Sequence, residues 1–195
     1  LNLAFTYNKA SVFFAFGTTG AAGGAGTYYF DELNFVAGGG GGGGGGTVAG
    51  LPIDFDTAGV TYTLTGFGGA EDATVAAGVA GANGSVARVV KSATAELWAG
   101  TTLSTGANAS LPTIPFTATA RSMTLRVRAP AAGIVVRLKV EDAADNTHTV
   151  ETEATTTVAN AWETLTFNFA NQAAGTAALN LAFTYNKASV FFAFG

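Results

Sequence analysis

The sequence predicts an all-β fold, an antiparallel β-sandwich of jelly-roll type that has been circularly permuted. Short segments of β-branched and aromatic residues alternate apolar with polar, which is the period of a strand with one buried face. Gly-, Asn- and Pro-rich clusters (GANGS at 81–85, STGANAS at 104–110, APAAG at 129–133) separate them at short intervals, as the turns of a sandwich require. The first seventeen residues, LNLAFTYNKASVFFAFG, also return letter for letter at 179–195, and nine consecutive glycines fill 38–46. Natural repeats drift, so an exact copy beside a pure glycine tether points to engineering.

Taken in order, residues 1–37 hold two apolar strands, ASVFFAFG and TYYFDELNFV, joined by the Gly-rich loop TTGAAGGAG. The glycine run 38–46 then leads into 47–178, which carries the body of the domain. VTYTLTGF at 60–67 alternates as a strand does, whereas the glycines in AEDATVAAGVAGA make a loop the expectation there. MTLRVRA at 123–129 alternates again. IVVRLKVE at 134–141 and TVETEATT at 149–156 flank the turn-forming DAADN and predict a hairpin. WETLTFNF at 162–169 continues the series before the second copy closes the chain at 179–195.

Read as 47–195 followed by 18–37, the duplicated block is used once, and 1–37 preserve the same local order. The whole chain is then one domain: 1–37 are native C-terminal strands moved to the front, 38–46 a linker, 47–178 the native body and 179–195 a duplicate. A nine-residue glycine coil spans roughly 15–18 Å, so the ends it joins, LPIDFD and DELNFV, are expected to lie close together.

Without one copy and the glycines about 169 residues remain, enough for a single domain with a sizeable core. Only 11% of residues are charged and 48% are hydrophobic, the opposite of a disordered composition. The net charge of −4 argues against nucleic-acid binding, which needs clustered Lys and Arg. No cysteine is present, so disulfides and thiolate chemistry are excluded. No apolar stretch is long enough to cross a membrane. A chain opening on Leu1 implies a preceding initiating residue, tag or signal peptide.

Catalytic signatures are missing. His148, beside a turn in DNTHT, is the only histidine, so a zinc site of the usual kind is not available and a Ser–His–Asp arrangement would depend on it alone. No G-x-S-x-G elbow occurs. The glycine run matches dinucleotide fingerprints trivially, with no helix after it. Two acids about 5–10 Å apart would suffice for glycoside cleavage. Glu151 and Glu153, however, alternate beside Arg and Lys, which is the pattern of a paired surface. The expectation is a chain that is not an enzyme.

On the hairpin 134–156, Val136, Leu138 and Val140 point one way while Arg137, Lys139 and Glu141 point the other. Glu151 and Glu153 share a face on the partner strand, and Arg126 with Arg128 share one on a further strand, expected in the same sheet. Such an amphoteric face has two readings. It is either a set of cross-strand ion pairs on a solvated sheet, or a polar platform for sugar hydroxyls. Sugars also need aromatic planes, because pyranose C–H faces stack on Trp and Tyr. Trp98 is the candidate platform, with core packing as the alternative; Trp162 starts a strand, where an indole often seals a sandwich edge. Asp54 and Asp56 in LPIDFD, with Asp31 and Glu32 in TYYFDEL, could converge as oxygen ligands if those strands pair. A carboxylate set without histidine suits a structural calcium; two exposed acidic strand ends are the alternative.

Several segments carry a family likeness: LPIDFD, FGGAEDATV, VKSATAELWAGTTL, MTLRVRAPAAGIVVRLKVEDA, ANAWETLTFNF and FFAFGTTGAAGGAGTYYFDELNF. In re-cut order the chain resembles bacterial carbohydrate-binding modules, jelly-roll domains appended to secreted polysaccharide-active enzymes and surface proteins. The likeness covers nearly all of the unique residues. It implies a non-catalytic, secreted or cell-surface polysaccharide binder with a structural calcium and no nucleic-acid or membrane partner. The reading from a different class is a structural spacer or adhesin-type sandwich without a glycan ligand. Where the family carries an acid or amide after FF, this chain has Ala15 and Ala193.

One native slot and two copies of its strand imply competition between nearly matched states. The displaced copy would expose Val12, Phe13, Phe14 and Phe16, or their equivalents Val190, Phe191, Phe192 and Phe194. An unpaired apolar strand of this kind is adhesive, so self-association by strand exchange is a further expectation.

Overall fold

Ten strands form two antiparallel five-stranded sheets in a computed structural model that describes residues 20–22, 24–37 and 48–194. The strands are β1 (Gly26–Val36), β2 (Thr63–Phe67), β3 (Asp72–Ala76), β4 (Val86–Lys91), β5 (Gly100–Ser104), β6 (Ser122–Arg128), β7 (Val135–Glu141), β8 (Thr149–Thr155), β9 (Trp162–Asn168) and β10 (Lys187–Phe192). The first sheet runs β3-β4-β1-β6-β9 and the second β2-β5-β10-β7-β8. Consecutive strands repeatedly change sheet, as they do in a jelly roll. Helical structure among the described residues is limited to single 3₁₀ turns at Gly20–Ala22 and Ala107–Ala109. The first copy of the repeat and the glycine run lie outside the described residues.

Alternation does what the sequence anticipates. On β6, Met123, Leu125 and Val127 are fully buried; on β7, so are Val136, Leu138 and Val140. Their neighbours point away from the core. The predicted hairpin is β7–β8, with Val140 opposite Val150 and Arg137 opposite Glu153. Between the sheets, Phe192 of β10 stacks on Tyr28 of β1 at 4.6 Å and lies 6.4 Å from Phe30. Burying one such ring contributes about 2–3 kcal/mol. That makes β10 a structural keystone of the sandwich.

The loop expected over 70–82 is corrected. Residues 72–76 form the edge strand β3, pairing with β4 from Asp72↔Val90 to Ala76↔Val86. This strand has no buried residue, so it lacks the alternation that would have marked it. The ends flanking the glycine run do meet: Leu33 and Ile53 donate N–H groups to each other's carbonyls at 3.1 and 2.9 Å. Ala37 and Val48, on either side of that run, both pack against the core.

Residues of the second copy supply β10. It sits in the middle of its sheet, with Ser189 opposite Thr102 of β5 on one side and Lys139 of β7 on the other. The preceding segment is also fixed. Asn186 donates its N–H to the Glu141 carbonyl at 2.9 Å, and the carbonyls of Asn186 and Tyr185 accept from Leu111 and Ile114.

Candidate functional site

Residues paired across antiparallel strands share a face, so the registers place side chains in rows on the outside of the second sheet. The middle row reads Thr65, Thr102, Ser189, Lys139 and Glu151 across all five strands. One row towards the Thr63 end lie Thr63 and Ser104 on one side of the sheet, then Lys187, Glu141 and Thr149. In the other direction Phe67 opposes Gly100, and Phe191, Arg137 and Glu153 lie in line. Thr102 and Ser189 join through their hydroxyls at 2.8 Å. The result is a polar floor bordered on one side by aromatic rings.

That border is continuous. The Trp98 indole stacks on Phe67 at 6.1 Å, Phe67 meets Phe191 edge-on at 5.6 Å, and Phe191 meets Phe194 at 5.3 Å. Phe194 in turn covers the Arg137 guanidinium at 3.7 Å. Glycines make the packing possible. A Cβ at Gly100 would come within 2.5 Å of the Phe191 ring, and one at Gly68 (φ +68°) within 2.8 Å of the Trp98 indole. Trp98 remains 44% exposed, and its Nε1–H meets no acceptor among the described residues. It is a supported but uncovered plane.

The charged residues of this face are mutually engaged. Arg137 is only 3% exposed; its Nη1 donates to Glu151 at 2.9 Å and its Nε to Glu153 at 2.8 Å, with a further bond from Nη2 to Glu153. Lys139 Nζ lies 3.0 Å from one Glu141 oxygen and Lys187 Nζ 3.6 Å from the other. Arg137 therefore orients carboxylates from beneath and does not itself face solvent. Glu153, Lys139 and Lys187 keep the more open positions in this set.

Arg126 and Arg128 do not join it. They lie on β6 in the first sheet, pairing with Asp31 and Tyr29, so the single amphoteric face expected from the sequence is divided between two opposite faces of the sandwich. Periodicity fixes which side of a strand a residue takes, not which sheet the strand joins. On that opposite face Arg126 lies over the Trp162 ring at 4.5 Å and Arg128 over Tyr29 at 5.5 Å. The loop between β3 and β4 crosses above them: Trp162 Nε1 donates to the Ala80 carbonyl at 3.1 Å, and Arg126 Nη2 to that of Gly81 at 2.7 Å. Trp162 is an anchor for that loop, whereas Trp98 holds none.

Asp31 lies beside a bulge in β1, is 2% exposed, and has Arg126 Nη1 3.8 Å away. Burial pushes its carboxyl up to about 6, against the lowering effects of the Glu32 N–H and Arg126. Asp54 is different. Burial raises it, but donors from Asp56, Thr57 and Tyr62 outweigh that and hold it below its ordinary value. Asp56 accepts the Ser85 N–H at 3.0 Å. Asp54 thus serves the donors of its own turn and Asp56 the Ser85 N–H, and no group of three or more carboxylate or imidazole side chains converges on a metal position among the described residues. His148 stacks on Phe183 with Asp142 and Asp145 beside it.

Three contributors to the face are not evident from sequence: Thr102, Ser189 and the Phe191–Phe194 pair, whose apolar run reads as core. Lys91 is a fourth surprise. It is 2% exposed inside the sandwich, where its amine donates to the Phe192 and Ala193 carbonyls at 3.0 and 2.9 Å. Burial lowers its pKa. Across the whole chain, no protein-family model, curated protein or solved structure gives a match.

Proposed function

We propose that this domain is a non-catalytic carbohydrate-binding module that holds a polysaccharide across the outer face of the second sheet. The observation that carries the reading is Trp98, a half-exposed indole backed by Phe67 and Gly68 at the edge of a polar row. A pyranose ring stacked there gains apolar contact with a plane that is already held in place, so little side-chain freedom is lost on binding. Its hydroxyls would meet Thr65, Lys139, Glu151 and Glu153, above the buried Thr102–Ser189 hydroxyl pair. A carboxylate has about four acceptor positions, so Glu151 and Glu153 keep capacity after accepting from Arg137. In this reading Arg137 positions the site and Glu141 sets the lysine geometry. On the far side Arg126 holds the Gly81 carbonyl of the β3–β4 loop and Arg128 the Asn160 carbonyl before β9. The order of the chain, with Leu33 and Ile53 paired beside the glycine run, fits a circular permutant of such a module.

The second reading, a spacer or adhesin-type sandwich that binds nothing, draws support from the saturation of the charged face by its own ion pairs. Affinity electrophoresis in gels containing β-glucan, xylan, mannan, alginate or agar separates the two. The binding reading expects retardation by at least one polysaccharide, lost in Trp98→Ala while cooperative unfolding persists. Unretarded migration in every gel, with a folded protein, favours the spacer.

A further inference from the structure

We infer that residues 1–17 are a second occupant, within the same molecule, of the slot that β10 fills. The slot is fully specified by described residues. It lies between β5 and β7, buries Ala188, Val190 and Phe192, and is closed at its far end by the Lys91 amine on two main-chain carbonyls. Each feature that satisfies it is present twice. Lys9, Ala10, Ser11, Val12, Phe13 and Phe14 repeat Lys187 to Phe192 without change, and Tyr7 and Asn8 repeat the two residues whose backbone bonds fix the approach.

Reach is the remaining requirement, and the structure provides it. Gly20 donates its N–H to the Ala95 carbonyl and packs so tightly on Ser92 that a Cβ would lie 2.0 Å from the Ser92 carbonyl oxygen. Lys91, the neighbouring residue, holds the end of β10. The end of the slot and the point where 1–17 join the described fold are therefore one lysine side chain apart. The five Cα–Cα steps from Ala15 to Gly20 span up to about 17 Å when extended, enough to close that gap. The first copy can enter the slot in the same direction and register without moving β1.

The two copies offer the slot the same side chains and differ in the junction that joins them to the rest of the chain, 17–18 or 178–179. Every molecule has two copies and one slot, so passing a strand to a neighbour fills no additional slot. Mass action gives exchange no pairing advantage over competition within one chain. The outer face survives either way, because Lys9, Ser11, Phe13 and Phe16 would stand where Lys187, Ser189, Phe191 and Phe194 stand.

A single substitution in the full-length chain tests this. Val190→Asp puts a carboxylate at a 1% exposed core position and disables the second copy. The expected result is a monomer that melts within about 5 °C of the parent, because the first copy takes over, a loss of at most a kcal/mol or two in a chain of this size. Hydrogen exchange follows the change directly, since the substitution gives the two otherwise identical peptides different masses. Protection should appear over residues 10–14 and vanish over 188–192. The double variant Val12→Asp/Val190→Asp should lose cooperative folding. The inference is overturned if Val190→Asp is as damaged as the double variant, if the double variant folds as well as the single, or if Val190→Asp folds only as a dimer.

Discussion

Replacing Asp31 by asparagine should make this protein's stability less sensitive to pH in a defined window. Asp31 is 2% exposed and burial raises its carboxyl from the ordinary 3.8 to about 6. Between those values the folded chain holds a proton that the unfolded chain has released. Linkage then requires the parent to lose stability as pH rises from about 4 to about 6, with the loss complete above that range. At about 1.36 kcal/mol per pH unit, the gap corresponds to about 3 kcal/mol. The substituted amide cannot ionise, so the stability of Asp31→Asn minus that of the parent should climb by about 3 kcal/mol from about pH 3.5 to about pH 7. Every other acid is common to both proteins and cancels in the difference. The attraction of Arg126 for the ionised carboxylate is already contained in the folded value of about 6, so it does not enter the climb a second time. Urea denaturation followed by tryptophan fluorescence at four pH values measures the effect. A difference that stays flat, or falls with pH, would refute the assignment of Asp31 as a buried carboxyl charged at a cost.

Other outcomes follow from the same geometry. Lys91→Met should cost about 1–3 kcal/mol at pH 7, because two carbonyls at the end of β10 lose their donor. Because burial lowers the Lys91 pKa, the parent gains stability as pH rises towards 10.5 and the variant does not, so thermal melts should show the gap widening at alkaline pH; a shrinking gap contradicts this. Adding calcium or EDTA should leave the melting temperature unchanged, since no third carboxylate or imidazole joins Asp54 and Asp56 among the described residues; a melting temperature that climbs with calcium concentration would support the structural calcium.

How much of this was legible in the sequence depends on whether the signal was local. The β7–β8 hairpin could be read because Val136, Leu138 and Val140 alternate with Arg137, Lys139 and Glu141 against one buried face. β3 could not: an edge strand with both faces partly solvated, DATVA, has no period to detect. β5 was hidden for the opposite reason. All five residues of GTTLS are buried, so its threonines did not register as core. The site divides in the same way. The cross-strand pairing of Arg137 with Glu151 and Glu153 is legible from alternation on the hairpin, whereas the exposure of Trp98, which core packing rivals in the sequence, is a fact of the fold. The transfer of Arg126 and Arg128 to the opposite sheet, and the passage of Lys91 through the core to the end of β10, are facts of sheet assignment that no local pattern encodes. Phe191 and Phe194 read as core within FFAFG, and they are nearly as buried as core residues. What they cover, however, is the guanidinium of an outward-facing arginine.

A glycan held as proposed lies on the Trp98 side of the second sheet, and Trp98 can report on it directly. The chain has two tryptophans, so Trp162→Phe leaves Trp98 as the sole indole fluorophore. Titrating that variant with a polysaccharide that retards the parent should shift its emission to the blue, as a 44% exposed indole loses water to a sugar ring. Retardation that persists with an unchanged emission spectrum would place the ligand elsewhere and contradict the account.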